Sequence, residues 1–133
     1  MALTTQHNEI TFGVGDRVKV HQKITEKDRT RTQVFEGMVI AIKNREETRT
    51  FTVRRIGEAQ VGIERIFSLA SPLIEKVEVV KKGTAGVRHS KLYFTRNKPP
   101  REVDEIYSRA QKKEAIKPVL KTKKKKAKSS KRK

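Results

Sequence analysis

The sequence predicts a small, mostly β domain: a strongly bent antiparallel sheet or barrel, followed by one helix and a basic tail. Three observations carry that prediction. Short stretches with apolar alternation recur through the first three-quarters of the chain. Polar or glycine-bearing segments separate them, and no helical period appears before residue 98.

The elements follow in order. "DRVKVHQK" puts Val18 and Val20 on one face and Arg17, Lys19 and His21 on the other. "TQVFEGMVIAIK" is longer, with Val34, Met38, Ile40 and Ile42 on one face and Phe35, Val39 and Ala41 on the other. A strand apolar on both faces is expected at the centre of a sheet, and Gly37 inside it predicts a bulge or sharp bend. "TRTFTVRRI" sets Phe51 and Val53 opposite Thr50 and Thr52, and "VGIERIFSL" groups Val61, Ile63, Phe67 and Leu69. "LIEKVEVV" and "KLYFT" complete about six strands, with Phe94 of the last assigned to the core. The connectors "TEKDR", "KNREE", "IGEAQVG" and "ASP" carry turn chemistry. Closing such a sheet would protect its edges.

After Pro99 and Pro100, Val103, Ile106, Tyr107 and Ala110 recur at helical spacing. Acids in the first turn and lysines near the end match the helix dipole, and Pro118 is expected to stop the helix. The stripe is expected to dock on the β body or on a partner. The tail, "KPVLKTKKKKAKSSKRK", has too few apolar groups to offset its ordering entropy and is expected to be disordered when free. The resulting organisation is a short extension over 1–11, a β domain over 12–97, a linker and amphipathic helix over 98–116, and a lysine-rich tail over 117–133.

Charge narrows the function. The 133 residues carry a net charge of +18, and only 34% are hydrophobic. Such an excess repels itself in a compact chain, so a polyanionic partner is expected. The balance is +2 over residues 1–80, +7 over 81–101, −1 over 102–116 and +10 over 117–133. Residues 81–101 contain no acid at all. There is no cysteine, which excludes disulfides, thiolate metal sites and cysteine nucleophiles. No apolar run approaches the roughly 20 residues of a membrane-spanning helix. "MALTTQHNEITFG" lacks a basic region followed by an apolar one, so no secretory signal is expected. His7, His21 and His89 are scattered, without carboxylates at triad or metal spacing. No catalytic residue, metal site or cofactor is expected.

The segments "GDRVKVHQKI", "RTQVFEGMVIA", "TFTVRRI", "VGIERIFSLASPLIEKVEVVKKG" and "RHSKLYFTRN" occur in that order. Together they resemble the bacterial-type large-subunit ribosomal protein nineteen family over about residues 12–97. The resemblance implies an SH3-like β-barrel and contacts to large-subunit ribosomal RNA. It also implies a place at the interface with small-subunit ribosomal RNA, in intersubunit bridges. It implies a neighbouring large-subunit protein of the fourteenth type, and a ribosome-bound, cytoplasmic location in a bacterium or the equivalent in an organelle. No membrane partner is implied. Family members usually carry a helical extension ahead of the barrel, where this chain has about eleven residues before Phe12. They usually continue with a short basic helix where this chain has "KPPREVDEIYSRAQKKEA".

The candidate RNA contacts follow from charge and from that resemblance. In "VKKGTAGVRHSKLYFTRN", Lys81, Lys82, Arg88, Lys91 and Arg96 can neutralise phosphates, and each contact releases condensed counterions. Gly83 and Gly86 would let backbone approach a phosphate. Tyr93 can stack on an unpaired base, or equally on the protein surface; His89 can stack or bind phosphate. Arg54 and Arg55 are adjacent on a strand and so point to opposite faces, one outward and one toward the rim or a partner. At least one of them is expected on RNA. Arg29, Arg31, Lys43, Arg45 and Arg49 sit in mixed-charge loops that also suit a solvated hairpin end. Lys123, Lys124, Lys125 and Lys126 are the tail's candidates, although such lysines equally suit nuclear localisation or an anionic membrane surface. Two other functions fit the same residues. One is an SH3-like module for a protein partner; the other is a nonspecific DNA-compacting protein.

Overall fold

The computed structural model describes residues 3–45 and 47–130, with side chains described as far as residue 116. The chain is mostly β with one C-terminal helix. Strands β1 (Thr4–His7) and β2 (Ile10–Gly13) form a hairpin. Strands β3 (Arg17–Glu26), β4 (Arg29–Lys43), β5 (Thr50–Ile56), β6 (Gly62–Ser68) and β7 (Ile74–Lys81) form an antiparallel sheet in the order β6-β5-β4-β3-β7. Helix α1 spans Pro100–Ser130.

Alternation builds the core. Val18 and Val20 of β3, Phe51 and Val53 of β5, and Val77 of β7 are fully buried. The central strand β4 is buried without interruption from Gly37 to Ile42, as its two apolar faces predict. Three aromatic contacts knit the sheet to the hairpin. Phe12 meets Phe51 edge-on at 5.1 Å, Phe51 stacks on Phe67 at 5.4 Å, and Phe67 tilts against Phe35 at 6.0 Å.

The sheet does not close by strand pairing, so the expected barrel is corrected to an open five-stranded sheet with a separate hairpin. The cause lies in "KLYFT", expected as the last strand. Tyr93–Asn97 is a 3-10 turn, and the Leu92 N–H donates to the Ile40 carbonyl at 2.8 Å instead of joining a ladder. Leu92 is buried, but Phe94 is 40% exposed, so its assignment to the core is overturned. A 3-10 turn advances about three residues per revolution, so strand alternation no longer fixes which side chain points inward.

Other expectations also shift. Thr4–His7, expected within a short extension, pairs with Ile10–Gly13 in the β1–β2 hairpin, with Thr5 opposite Phe12. Asn8 turns the hairpin at a φ of 55°, a region asparagine tolerates. The bulge in β4 falls at Ile40, between the pairings Val39↔Val53 and Ala41↔Thr52, not at Gly37. Gly37 serves close approach instead, since a Cβ there would strike the Arg54 carbonyl oxygen. Val34 and Val61 lie exposed rather than inside, because β3 and β4 extend beyond the core as a hairpin arm and Val61 precedes β6. The helix continues through Pro118 to Ser130 instead of stopping, so residues 117–130 of the tail expected to be disordered are helical. A helix can pass a proline at the loss of one backbone bond and a local clash.

Helix α1 docks on the β body through Ile106, Tyr107 and Ala110, all buried. Gly86, in the 3-10 turn Thr84–Gly86, lets the two backbones touch. A Cβ there would strike the Ile106 carbonyl oxygen and lie 2.9 Å from the Ala110 nitrogen. Arg109 Nε donates to the Gly86 carbonyl at 3.1 Å. Gly86→Val is therefore expected to cost about 1–3 kcal/mol and to undock the helix. The checks are the urea midpoint and amide exchange over residues 103–110, which should accelerate.

Candidate nucleic-acid interface

The acid-free segment after β7 is fixed by one buried carboxylate. Gly15, at a φ of 95°, turns the chain so that Asp16 points back beneath the segment. Asp16 Oδ1 accepts from the Gly83 N–H at 2.8 Å, the Thr84 N–H at 2.9 Å and the Thr84 hydroxyl at 2.6 Å. Its Oδ2 accepts the Gly13 N–H at 3.0 Å. One side chain thus joins the end of the hairpin to the loop that carries the cations.

That loop presents charge outward. Lys81 ends β7 opposite Arg17, and its ammonium lies 4.5 Å from the Tyr107 ring centroid. Burial pushes the Tyr107 phenol well above its ordinary range, so the ring stays neutral beneath the cation. Lys82, Arg88, His89 and Lys91 follow, all exposed. The His89 ring meets Phe94 edge-on at 6.1 Å. Arg88, His89 and Phe94 line a cleft of about 230 Å³ against α1. None of Lys81, Lys82, Arg88 and Lys91 makes an ion pair with a described carboxylate. The surface of β3, β4 and β7 differs: there Glu36, Glu75 and Glu78 engage Arg17, Lys19, Lys23 and Lys76.

Three predicted contacts are engaged within the chain. Arg96 forks onto Glu64, with Nε–Oε1 and Nη2–Oε2 both at 2.7 Å, while its guanidinium lies over Tyr93 at 4.8 Å. Arg54 reaches the same carboxylate at 3.0 Å. Arg96, Arg54 and Tyr93 therefore form an internal cluster around an acid that the charge map passed over. The signal was available: Glu64 stands directly opposite Arg54 in the β5–β6 register. The Arg96 fork, more than Arg54, holds the Glu64 carboxyl below its ordinary value of 4.5. A depressed carboxyl stabilises the fold above the ordinary value, and its contribution fades as pH falls through the lower folded value. Wild-type stability in urea should thus fall below about pH 4.5 more steeply than that of Glu64→Gln; parallel pH profiles would show that Glu64 adds nothing.

The remaining candidates do not form one patch. Arg29 and Arg31 lie on the exposed arm, where Arg31 pairs with Glu26 at 3.1 Å. Lys43, Arg45 and Arg49 surround the opposite end of β4, all exposed. At the usual strand rise, Arg29 and Lys43 are roughly 45 Å apart along β4. The Leu92–Ile40 bond places residues 81–96 nearer the Lys43 end. Arg55 is exposed with its guanidinium 5.2 Å over Phe35. The side chains of Lys123, Lys124, Lys125 and Lys126 lie outside the described residues. Among the described residues, no group of His and carboxylates has the geometry to hold a metal ion. No helix among them is long and apolar enough to cross a membrane.

Comparison with known proteins now bears on this arrangement. The family model for ribosomal protein L19 matches residues 2–107. The chain belongs to the ribosomal protein L19 family. It is 54% identical over 86 residues to large ribosomal subunit protein bL19 of Kosmotoga olearia, covering 65% of this chain and 73% of that one. Identity to the bL19 of Thermosipho melanesiensis is 51% over 86 residues, with the same coverage. To the bL19 of Clostridium botulinum it is 53% over 87 residues, 65% and 74% of the two chains. The L19 match takes in the β1–β2 hairpin, the whole sheet, the cationic loop and the start of α1, as far as Tyr107. L19 is a structural ribosomal protein family, not an enzyme family.

Proposed function

We propose that this chain is a structural constituent of the large ribosomal subunit that binds ribosomal RNA through the cations of residues 81–91. The observation that carries this is Lys81, Lys82, Arg88 and Lys91 standing exposed, without described carboxylate partners, on a loop pinned by Asp16. A rigid scaffold with uncompensated cations suits a phosphate surface, because binding costs little reorganisation and releases counterions. The names of the relatives support the large subunit as the setting. In that setting the chain is ribosome-bound in the cytoplasm of a bacterium.

The finer reading is a position facing small-subunit ribosomal RNA, in intersubunit bridges, beside a large-subunit protein of the fourteenth type. The resemblance to the family supports that reading. The arm over residues 23–34 and the distant β4–β5 loop carry Arg29, Lys43, Arg45 and Arg49 at two separate ends of β4, which suits a protein that touches more than one RNA surface.

The test is the salt dependence of binding to purified large-subunit ribosomal RNA. The four cations of residues 81–91 are expected to contribute about −3 to the log–log slope, at 0.7–0.9 per phosphate contact. A shallow slope with tight protein–protein association would favour an SH3-like interaction module. Equal affinity for duplex DNA would favour DNA compaction.

A further inference from the structure

We propose that Arg55 and Arg65 form a two-guanidinium site for one backbone phosphate of ribosomal RNA, a site that rests on the RNA-binding reading above. The β5–β6 register pairs Val53 with Arg65 and Arg55 with Ile63. Directly opposed residues share a face, so both arginines lie on the side of the sheet that Val53, Phe51 and Phe67 bury. They stand where that core face opens, because the sheet does not close there.

Both guanidiniums gather on one ring. Arg55 Cζ is 5.2 Å and Arg65 Cζ 5.5 Å from the Phe35 centroid, and Arg65 also lies 5.1 Å over Phe67. Arg65 Nη2 donates to Gln22 Oε1 at 2.8 Å, so a side chain from β6 reaches β3 across the open face. That bond uses one of five N–H donors on Arg65. Neither arginine makes an ion pair with a described carboxylate. On the opposite face of the same two strands, Arg54 is paired with Glu64. Two like charges on one ring repel each other, and an anion between them would turn that repulsion into attraction. The rings hold the guanidinium planes in advance, which lowers the entropy lost on capture. Paired planar forks match the oxygens of a phosphate. The +18 surplus of the chain favours a polyanion over a lone carboxylate as the occupant.

Inorganic phosphate is the first probe. At fixed ionic strength it should shift the Nε–H resonances of Arg55 and Arg65, but not that of Arg96, which Glu64 already holds. The second measurement is RNA binding against salt. The Arg55→Gln/Arg65→Gln protein should lose about 0.7–0.9 from the slope magnitude on large-subunit ribosomal RNA. Arg65 also braces Gln22, so Arg55→Gln alone, at an exposed position, keeps the test valid if the double variant unfolds; it should shift the slope in the same direction. Wild-type slopes in the variants, or arginine resonances unmoved by phosphate, overturn the site while the wild-type slope still upholds RNA binding. Variants that keep the RNA slope but lose a neighbouring subunit protein would place a protein carboxylate there and overturn the phosphate. A wild-type chain with no steep slope overturns the RNA reading itself.

Discussion

Reversing Lys81, Lys82 and Arg88 to glutamate is expected to exclude the protein from large ribosomal subunits. All three side chains are exposed, so the fold should survive and the effect should be electrostatic. Three lost phosphate contacts reduce the salt slope by roughly 2–3, which alone lowers affinity by on the order of 100-fold at physiological salt. Three added carboxylates then repel the same phosphates, so the full loss is larger. The measurement is co-sedimentation with large subunits reconstituted in the presence of the variant, beside its circular dichroism spectrum. A native spectrum with absent co-sedimentation is the expected pair of results. Normal incorporation would remove this segment from the RNA interface. The Lys81 change carries a second consequence, because it also removes the cation from the Tyr107 ring, a contact typically worth about 0.5–1 kcal/mol at exposed sites.

Asp16→Ala is expected to produce a large stability loss. The Asp16 side chain accepts three backbone N–H groups and one hydroxyl. Alanine would leave those N–H donors, largely shut off from water, without partners. Each such donor costs about 1–3 kcal/mol, so the expected loss is on the order of 3–5 kcal/mol. That is a large fraction of the roughly 5–15 kcal/mol that holds a small domain together. Asp16→Asn should lose less, because its single carbonyl oxygen still accepts while its amide nitrogen faces donors it cannot satisfy. Equilibrium urea unfolding orders the three proteins: wild type, then Asn, then Ala. A second readout separates the latch from ordinary core packing. Amide exchange at Gly83 and Thr84 should accelerate more than exchange in β5. Uniform acceleration would make Asp16 one core residue among many.

Asp16 also shows how far pattern reading reaches. It stands in "GVGDRVKV" as an ordinary turn acid, and nothing in its neighbours marks it. Its partners Gly83 and Thr84 are 67 and 68 residues away. Glu64 was closer to being found, since strands joined by a short loop have a countable register that sets it against Arg54. Arg96 looked free for the same reason that Glu64 looked irrelevant: the two are 32 residues apart, and only folding brings them together. Phe94 failed differently. Alternation assigned it to the core, and a local 3-10 turn removed the premise.

The strands of the main sheet, the central place of β4, the docking stripe of α1 and the cationic character of 81–101 all followed from order and composition alone. Each depends on neighbours within a few residues, where backbone geometry sets a fixed period. The length of α1 beyond Pro118, the open edge of the sheet, the pairing of Arg54 and Arg96 with Glu64, and the gathering of Arg55 and Arg65 on Phe35 were decided by tertiary structure. They depend on which distant groups arrive at one point in space. A charge can be counted along the chain, but whether it is free to meet a phosphate is settled only by what else has folded beside it.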